Sequence, residues 1–373
     1  MISRLIENNI KEDFNKGKII IVLGARQVGK TTLFDTIINN YDNVLKFNCD
    51  DYDDRLDLEN KTSTELKNLI GNHKIVVIDE AQRVSNIGLT LKIIADLKLD
   101  TQVLVTGSSS LELSSKINEP VTGRMFEYKL FPLSLAELAN NTSQREETRL
   151  LEQRMIYGLY PEIVTNPSDN KRLLTSLANN YLYKDLLCYQ GIKKPEILHK
   201  LVRALALQIG SEVSYNELSN LLGIDKETVE SYINLLEKCF VVFKLPSYSR
   251  NMRNEIKKGK KIYFYDNGIR NALISNFAPL EMRQDTGALW ENFMISERMK
   301  RNTYLNDYSQ LFFWRTQQQQ EIDLLEEKDG RLFAYEFKWN SKKKYKLPSS
   351  FESNYSNTEF NVISRENFWE FVL

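Results

Sequence analysis

Apolar and polar positions divide this chain into three regimes. In the first third, apolar residues come in short unbroken runs: Ile19-Ile20-Ile21-Val22-Leu23, Ile75-Val76-Val77-Ile78 and Val103-Leu104-Val105, with a shorter Val44-Leu45-Lys46-Phe47 between them. Runs of this length and branching predict strands buried on both faces, the habit of a parallel sheet covered by helices. From about residue 145 to 208 the pattern is helical, with Asn180 to Leu187 at its centre and a breaker at Tyr157-Gly158-Leu159-Tyr160-Pro161-Glu162. Next, Ser214-x-x-Glu217 predicts a capping box and a short helix to Leu222. Gly223-Ile224 turns the chain, and Asp225 caps a second helix whose Val229, Ile233 and Leu236 share one face. With the β-rich run Phe240-Val241-Val242-Phe243 behind it, this is the order of a winged helix-turn-helix. In the last third, Glu321-Ile322-Asp323-Leu324-Leu325 and Phe333-Ala334-Tyr335-Glu336-Phe337-Lys338 alternate like strands around the two-residue turn Asp329-Gly330. A chain of 373 residues exceeds one hydrophobic core. The expected division is 1–140, an α/β nucleotide-binding domain; 141–280, helices with the winged-helix block; and 281–373, a smaller α/β domain.

The stretch behind the first apolar run carries the sharpest chemistry. Gly24-Ala25-Arg26-Gln27-Val28-Gly29-Lys30-Thr31 fits G-x-x-x-x-G-K-[ST] and leads into a helix from Thr31, Thr32 to about Asn39. Glycines let backbone N–H groups face inward, and the helix adds the positive end of its dipole, so the expected guest is a polyphosphate with its Mg²⁺. Lys30 is placed for the β- and γ-phosphates and the Thr31 hydroxyl for Mg²⁺, while Arg26 is expected to face solvent. Ile75-Val76-Val77-Ile78 ends in Asp79-Glu80, which gives an aspartate for the Mg²⁺ shell and a glutamate to take a proton from the attacking water. Val103-Leu104-Val105-Thr106 runs into Gly107-Ser108-Ser109-Ser110. Thr106 or Ser108 is a candidate to orient the water or to feel the γ-phosphate, the alternative being a serine-rich helix cap. Arg124 is a candidate to neutralise the leaving phosphate, in its own subunit or on a neighbour in a homo-oligomer; a surface ion pair is the alternative.

Counting outward from Asp329-Gly330 puts Lys328 opposite Arg331, Asp323 opposite Glu336 and Glu321 opposite Lys338. One face then gathers Ile322, Leu324, Phe333, Tyr335 and Phe337 as core; the other gathers Asp323, Glu336 and Lys338, with cross-strand Cβ separations of ~5 Å. Two opposed carboxylates repel unless a cation sits between them. A divalent metal held by Asp323 and Glu336, with Lys338 supporting the nucleophile, is one resolution; a charged solvent face is the other.

Gly24 to Thr32, the strand ending Asp79-Glu80-Ala81-Gln82, the Thr106-Gly107-Ser108-Ser109 turn and Gly123-Arg124 through Phe131-Pro132-Leu133-Ser134 together resemble the AAA-type ATPases of bacteria and archaea that carry a C-terminal domain of unknown function. The resemblance covers nearly the whole chain. It implies a sheet in which the Thr106 strand lies between the P-loop strand and the Asp79 strand, and ATP and Mg²⁺ at the positions named. For the last domain, Asp323 followed by Glu336-x-Lys338 resembles the D…(D/E)-x-K motif of the restriction-endonuclease-like fold. That likeness implies a further acid from a preceding helix: Glu291, in Gly287-Ala288-Leu289-Trp290-Glu291-Asn292, with Glu297 as reserve.

Charge decides little globally, since Lys+Arg and Asp+Glu are equal at 50 each. Locally, Arg250 to Lys261 holds Arg250, Arg253, Lys257, Lys258, Lys260 and Lys261 against Glu255, a candidate wing for a DNA backbone or else a lysine-guarded hairpin edge. Lys342-Lys343-Lys344 with Lys346 is a weaker track. The second helix exposes Glu227, Glu230, Ser231 and Asn234, which is poor chemistry for reading bases. Cys49, Cys188 and Cys239 lack metal-ligand spacing, as do His73 and His199. No apolar run approaches the ~20 residues of a membrane span, so a soluble, cytoplasmic protein is expected. Three functions stay open: an ATP-hydrolysing switch with a DNA-acting, nuclease-like C-terminal module; the same ATPase with a non-catalytic regulatory or protein-interaction module; and a toxin or defence component that cleaves nucleic acid only when triggered.

Overall fold

The computed structural model describes residues 2–107, 121–181, 194–249, 259–316, 318–340, 345–355 and 357–373. The chain divides into two compact units, Met1–Pro132 with Lys238–Phe240, and Leu133–Glu237 with Val241–Leu373. Among the described residues no helix is long and apolar enough to cross a membrane.

In the first unit the apolar runs become strands β1 (Ile19–Gly24), β2 (Val44–Asn48), β3 (Ile75–Asp79) and β4 (Gln102–Gly107), joined by β5 (Met125–Leu130). They form one parallel sheet in the order β2-β3-β4-β1-β5, with β4 between β1 and β3 as the resemblance implies. Every residue of β1 and β4 is buried, which is why these strands read as unbroken apolar runs rather than alternating ones. All five strands point the same way, so Gly24, Asp79 and Gly107 end on one edge of the sheet, the edge at which open α/β sheets bind ligands.

In the second unit, helices Leu135–Asn141, Gln144–Arg149, Leu151–Tyr157, Pro161–Thr165, Asn170–Tyr181 and Pro195–Leu207 lead to a small antiparallel sheet, β6 (Glu212–Val213), β8 (Lys260–Phe264) and β7 (Val242–Pro246). Helices Tyr215–Leu222 and Lys226–Lys238 stand between β6 and β7. Ser214 accepts from Glu217 N, Gly223 turns in the left-handed region, and Asp225 accepts from Thr228 N at 2.6 Å. Val229, Ile233 and Leu236 are buried, whereas Glu227, Glu230, Ser231 and Asn234 are exposed. A mixed sheet closes the unit: β9 (Gln310–Arg315), β10 (Glu321–Lys328), β11 (Arg331–Phe337) and β12 (Thr358–Ile363), in the order β12-β11-β10-β9, with β12 parallel to β11.

Helix Thr286–Tyr304 organises this unit. It is buried on most of its circumference, through Leu289, Trp290, Asn292, Phe293, Met294, Ile295 and Ser296. Asn292 fastens it to β8, accepting from Phe264 N at 2.7 Å and donating to Phe264 O at 3.1 Å. At its start, Asp285 binds Arg270 (2.5 Å) and Arg283 (2.8 Å), two guanidiniums almost fully removed from solvent. Partial burial alone would raise the Asp285 carboxyl; hydrogen bonds from Arg283 and Arg270 outweigh it and hold the group down at about 2.

A group depressed in this way contributes stability above its ordinary value of 3.8 and loses it as pH falls through about 2. Asp285→Asn is expected to lower stability at pH 7 by roughly 1–2 kcal/mol, discounted for the partial exposure of Asp285. The difference from the parent should shrink as pH falls from 4 toward 2. Thermal denaturation across that range checks it, and a pH-independent difference would contradict the linkage.

Candidate nucleotide and carboxylate sites

The loop after β1 is shaped by its glycines. A Cβ on Gly24 would stand 2.2 Å from Leu130 O, so the close approach of β5 requires glycine there; Gly29 adopts φ +95°, where a side chain is strained. Ala25 and Val28 are buried, Gln27 is exposed with φ 59°, and Arg26 is half-buried rather than turned wholly to solvent. Gly29 provides no side-chain cap to helix Lys30–Ile38, so no side chain of its own closes the helix start. Arg4 braces the loop, donating to Val28 O and to Phe131 O, each at 2.7 Å.

Lys30 is buried, with its ammonium donating to the carbonyls of Gly24 (3.1 Å) and Ala25 (3.0 Å) and lying 3.8 Å from Glu80 Oε1. Thr31 Oγ1 donates to Asp79 Oδ2 at 2.8 Å, while its neighbour Thr32 is exposed. Thr106 Oγ1 donates to the other Asp79 oxygen and accepts from Glu80 N at 2.9 Å. That geometry corrects the reading of Thr106 as a residue facing water or γ-phosphate. Thr106 is fully buried and spends its hydroxyl on positioning Asp79 and Glu80. Glu80 adopts φ 52°, an uncommon left-handed conformation for a glutamate, and accepts from Gln82 Nε2 at 2.5 Å. The donor set suits Mg²⁺: a hydroxyl and a carboxylate oxygen within hydrogen-bond reach, beneath a loop of backbone amides. Ser108 lies outside the described residues.

Arg124 is not brought to this edge. It precedes β5, and Ile19 N donates to its carbonyl at 2.9 Å, so it sits at the amino ends of the strands, roughly 20 Å of strand from the P-loop. Its guanidinium pairs with Asp96 at 2.7 Å, both groups well exposed. Within its own chain Arg124 is therefore the surface ion pair weighed against the phosphate role.

In the second unit the β10–β11 ladder runs from Lys328↔Arg331 to Leu324↔Tyr335, the register that counting outward from the turn predicts, and it stops there. Asp323 then accepts from Phe337 N with its side chain at 2.8 Å. Ile322, Leu324, Tyr335 and Phe337 are buried as expected, but the core is not confined to one face. The β9–β10 register slips between Ile322↔Trp314 and Leu325↔Phe312, a β-bulge at Asp323 and Leu324. The extra residue changes the phase, so Ile322 and Leu325 join one core cluster with Phe312, Trp314 and Ala334. Asp323, 8% exposed, lies inside the protein rather than on a solvated face.

Around Asp323 the charged side chains gather. Lys338 lies 2.6 Å from Glu336 and 3.7 Å from Asp323. Glu291 accepts from Lys261 at 3.0 Å and from Tyr263 at 2.5 Å, and it also interacts electrostatically with Asp323. Lys261 binds Glu321 as well, and Arg315 stands 3.6 Å from Glu321. Burial pushes the Glu291 carboxyl up to about 7, with Lys261 pulling it back and Asp323 adding to the rise. Burial and then Asp323 also raise Glu336. Burial would lower Lys338, but Asp323 and Glu336 raise it.

Glu291, Asp323, Glu336 and Lys338 thus share one neighbourhood. Glu297 does not: it accepts from Leu135 N (2.6 Å) and Lys300 (2.7 Å) in a separate buried network. Among the described residues no group of three or more acidic, histidine or cysteine side chains is arranged to hold a metal. Arg250 to Lys258 of the basic wing and Lys342-Lys343-Lys344 lie outside the described residues. Lys261 corrects the wing reading, because at 1% exposure it is an interior cation and not a surface contact for DNA. Sequence reasoning also missed Arg4, Tyr263 and the buried pair Arg298–Glu326 (2.6 Å). The alternation of Lys261 and Tyr263 along β8 was the available signal, masked by the lysines around it.

Three family models match the chain in succession. Residues 16–139 match an AAA domain. This segment is an AAA-type P-loop ATPase domain. Residues 148–280 and 286–367 match two domains of unknown function, DUF8612 and DUF4143. Among curated proteins, an uncharacterized protein of Mycobacterium tuberculosis is 26% identical over 337 residues, covering 89% of this chain and 73% of that one. An uncharacterized protein of Methanocaldococcus jannaschii is 25% identical over 349 residues, covering 87% and 75%. Among solved structures, a Walker-type ATPase of Pyrococcus abyssi aligns with TM-score 0.52 at 15% identity, covering 74% of this chain and 96% of that one, a likeness of fold.

Gly24→Ala is expected to destabilise the first unit by roughly 1–3 kcal/mol, because the new methyl group meets the Leu130 carbonyl and the backbone must move. Urea denaturation measures the shift; an unchanged midpoint would show that β5 yields freely.

Proposed function

We propose that this chain is a Mg²⁺-dependent, ATP-hydrolysing switch. The observation that carries the reading is the placement of Thr31 and Asp79, one hydroxyl and one carboxylate 2.8 Å apart directly behind the P-loop lysine. Thr31 and Asp79 would hold Mg²⁺, directly or through water, and the loop amides from Gly24 to Thr32 would hold the phosphates. Bound Mg²⁺·ATP supplies an activated phosphoanhydride whose terminal phosphorus accepts water. Lys30, now folded back onto the Gly24 and Ala25 carbonyls, turns its charge to the β- and γ-phosphates. Glu80 stands beside that ammonium and serves as the base that takes the proton of the attacking water.

For the C-terminal half, a DNA-acting, nuclease-like module is supported by the gathering of Asp323, Glu336 and Lys338, and by the helix-turn-helix and hairpin order between β6 and β8. The alternative, a regulatory or protein-interaction module without cleavage, is favoured by two observations. The cluster's carboxylates are already engaged by Lys261 and Lys338. The carboxylates Glu227 and Glu230 on the exposed helix face point the same way, since phosphates repel them.

Lys30→Ala should abolish ATP binding measured by calorimetry, while Glu80→Gln should keep binding and lower phosphate release by about 10²-fold or more. Full turnover in Glu80→Gln would remove Glu80 from the chemistry. Incubation with Mn²⁺ and single-stranded, duplex or branched DNA should give no cutting under the favoured alternative. Cutting abolished by both Asp323→Ala and Glu336→Ala would instead establish the nuclease reading.

A further inference from the structure

The restriction-endonuclease-like reading calls for a divalent metal between Asp323 and Glu336, and the side chains present do not fit one. Metal ligation needs several oxygens free to converge on a point about 2 Å away. Here at least one oxygen of each carboxylate is already engaged, and each carboxylate has a cation of the chain against it. Asp323 Oδ2 accepts from Phe337 N at 2.8 Å and faces Lys338, and Glu336 Oε1 is bound by the same ammonium. Glu291 Oε1 takes both Lys261 and Tyr263, and Glu321 holds Lys261 with one oxygen and faces Arg315 with the other. Three cations therefore meet four carboxylates, Glu291, Glu321, Asp323 and Glu336.

Lys261 is seated rather than trapped. Its ammonium lies 5.6 Å from the centre of the Phe313 ring, and that aromatic face stabilises an ammonium but offers no donor to a hard metal ion. The Tyr263 phenol, two residues along β8 on the same face, donates to the Glu291 oxygen that Lys261 also binds. Asn292 pins Glu291's helix to the end of β8, which fixes the pair. A buried carboxylate cluster needs positive charge among its members, and β8 delivers it covalently.

We infer that Lys261 is the resident cation of this cluster, occupying the electrostatic role that a divalent metal would have, so that the folded C-terminal site excludes metal. The inference goes beyond the ATPase reading and is independent of it, so its test uses nucleotide-free full-length protein carrying Thr31→Ala, which removes the P-loop ligand from the metal count. Mn²⁺ binding is followed by the paramagnetic resonance of the free ion. The parent should show no Mn²⁺ binding that depends on Asp323. Lys261→Gln should gain Mn²⁺ binding at least about tenfold tighter than the parent, lost again on adding Asp323→Asn. Lys261→Arg, which keeps the charge, should stay without metal. Asp323-dependent Mn²⁺ binding by the parent, or a folded Lys261→Gln that gains none, overturns the inference. If Lys261→Gln does not fold, folded Lys261→Arg and a metal-free parent support it, whereas an Asp323-dependent Mn²⁺ signal in the parent still refutes it.

Discussion

A carboxylate removed from water needs a partner, and which partner it has decides what it can do next. Asp79, at the end of β3, is held by two hydroxyls, Thr31 and Thr106. Hydroxyls orient a carboxylate without neutralising it, and the proposed Mg²⁺ site rests on that arrangement. Everything on that edge of the first sheet serves this arrangement. β4 lies between β1 and β3 and puts Thr106 beside Asp79, while the glycines at 24 and 29 bring the loop down over Lys30.

The second unit meets the same constraint with ammonium groups. Glu291, Glu321, Asp323 and Glu336 are gathered around Lys261 and Lys338, and the charge is settled within the chain. Lys261 belongs to the segment 148–280 and the acids to the segment 286–367, so two stretches that match separate domains of unknown function complete one ion cluster. That sharing gives β8 and helix Thr286–Tyr304 a reason to be packed together, beyond apolar burial, and the Asn292 bonds to Phe264 hold the register.

Much of this was legible in the residues. Unbroken branched runs gave the buried parallel strands, and the P-loop pattern together with Asp79-Glu80 located the nucleotide edge because spacing and residue type are enough there. The hairpin register followed from Asp329-Gly330, since turn geometry fixes the pairing. What stayed hidden was non-local. A one-residue bulge at Asp323 and Leu324 leaves no mark in a two-residue period, yet it brings Ile322 together with Leu325 and Ala334, so that both faces of β10 carry core. Lys261 reads as one more cation in a basic run, and only the packing of β8 against Glu291 makes it interior. Arg124 stayed open between a phosphate ligand and a surface ion pair because its strand could not be placed from the residues alone; the parallel β1–β5 pairing puts it on the far edge, where it pairs with Asp96.

On the proposed reading, a divalent ion is held at the Asp79 edge and excluded from the Asp323 cluster. Anomalous scattering from crystals of the wild-type chain grown with Mn²⁺ and a non-hydrolysable ATP analogue tests it most directly. The account predicts a manganese peak beside Thr31 and Asp79 and none among Glu291, Asp323 and Glu336. A peak within that second group, or its absence at the first with nucleotide bound, would contradict it.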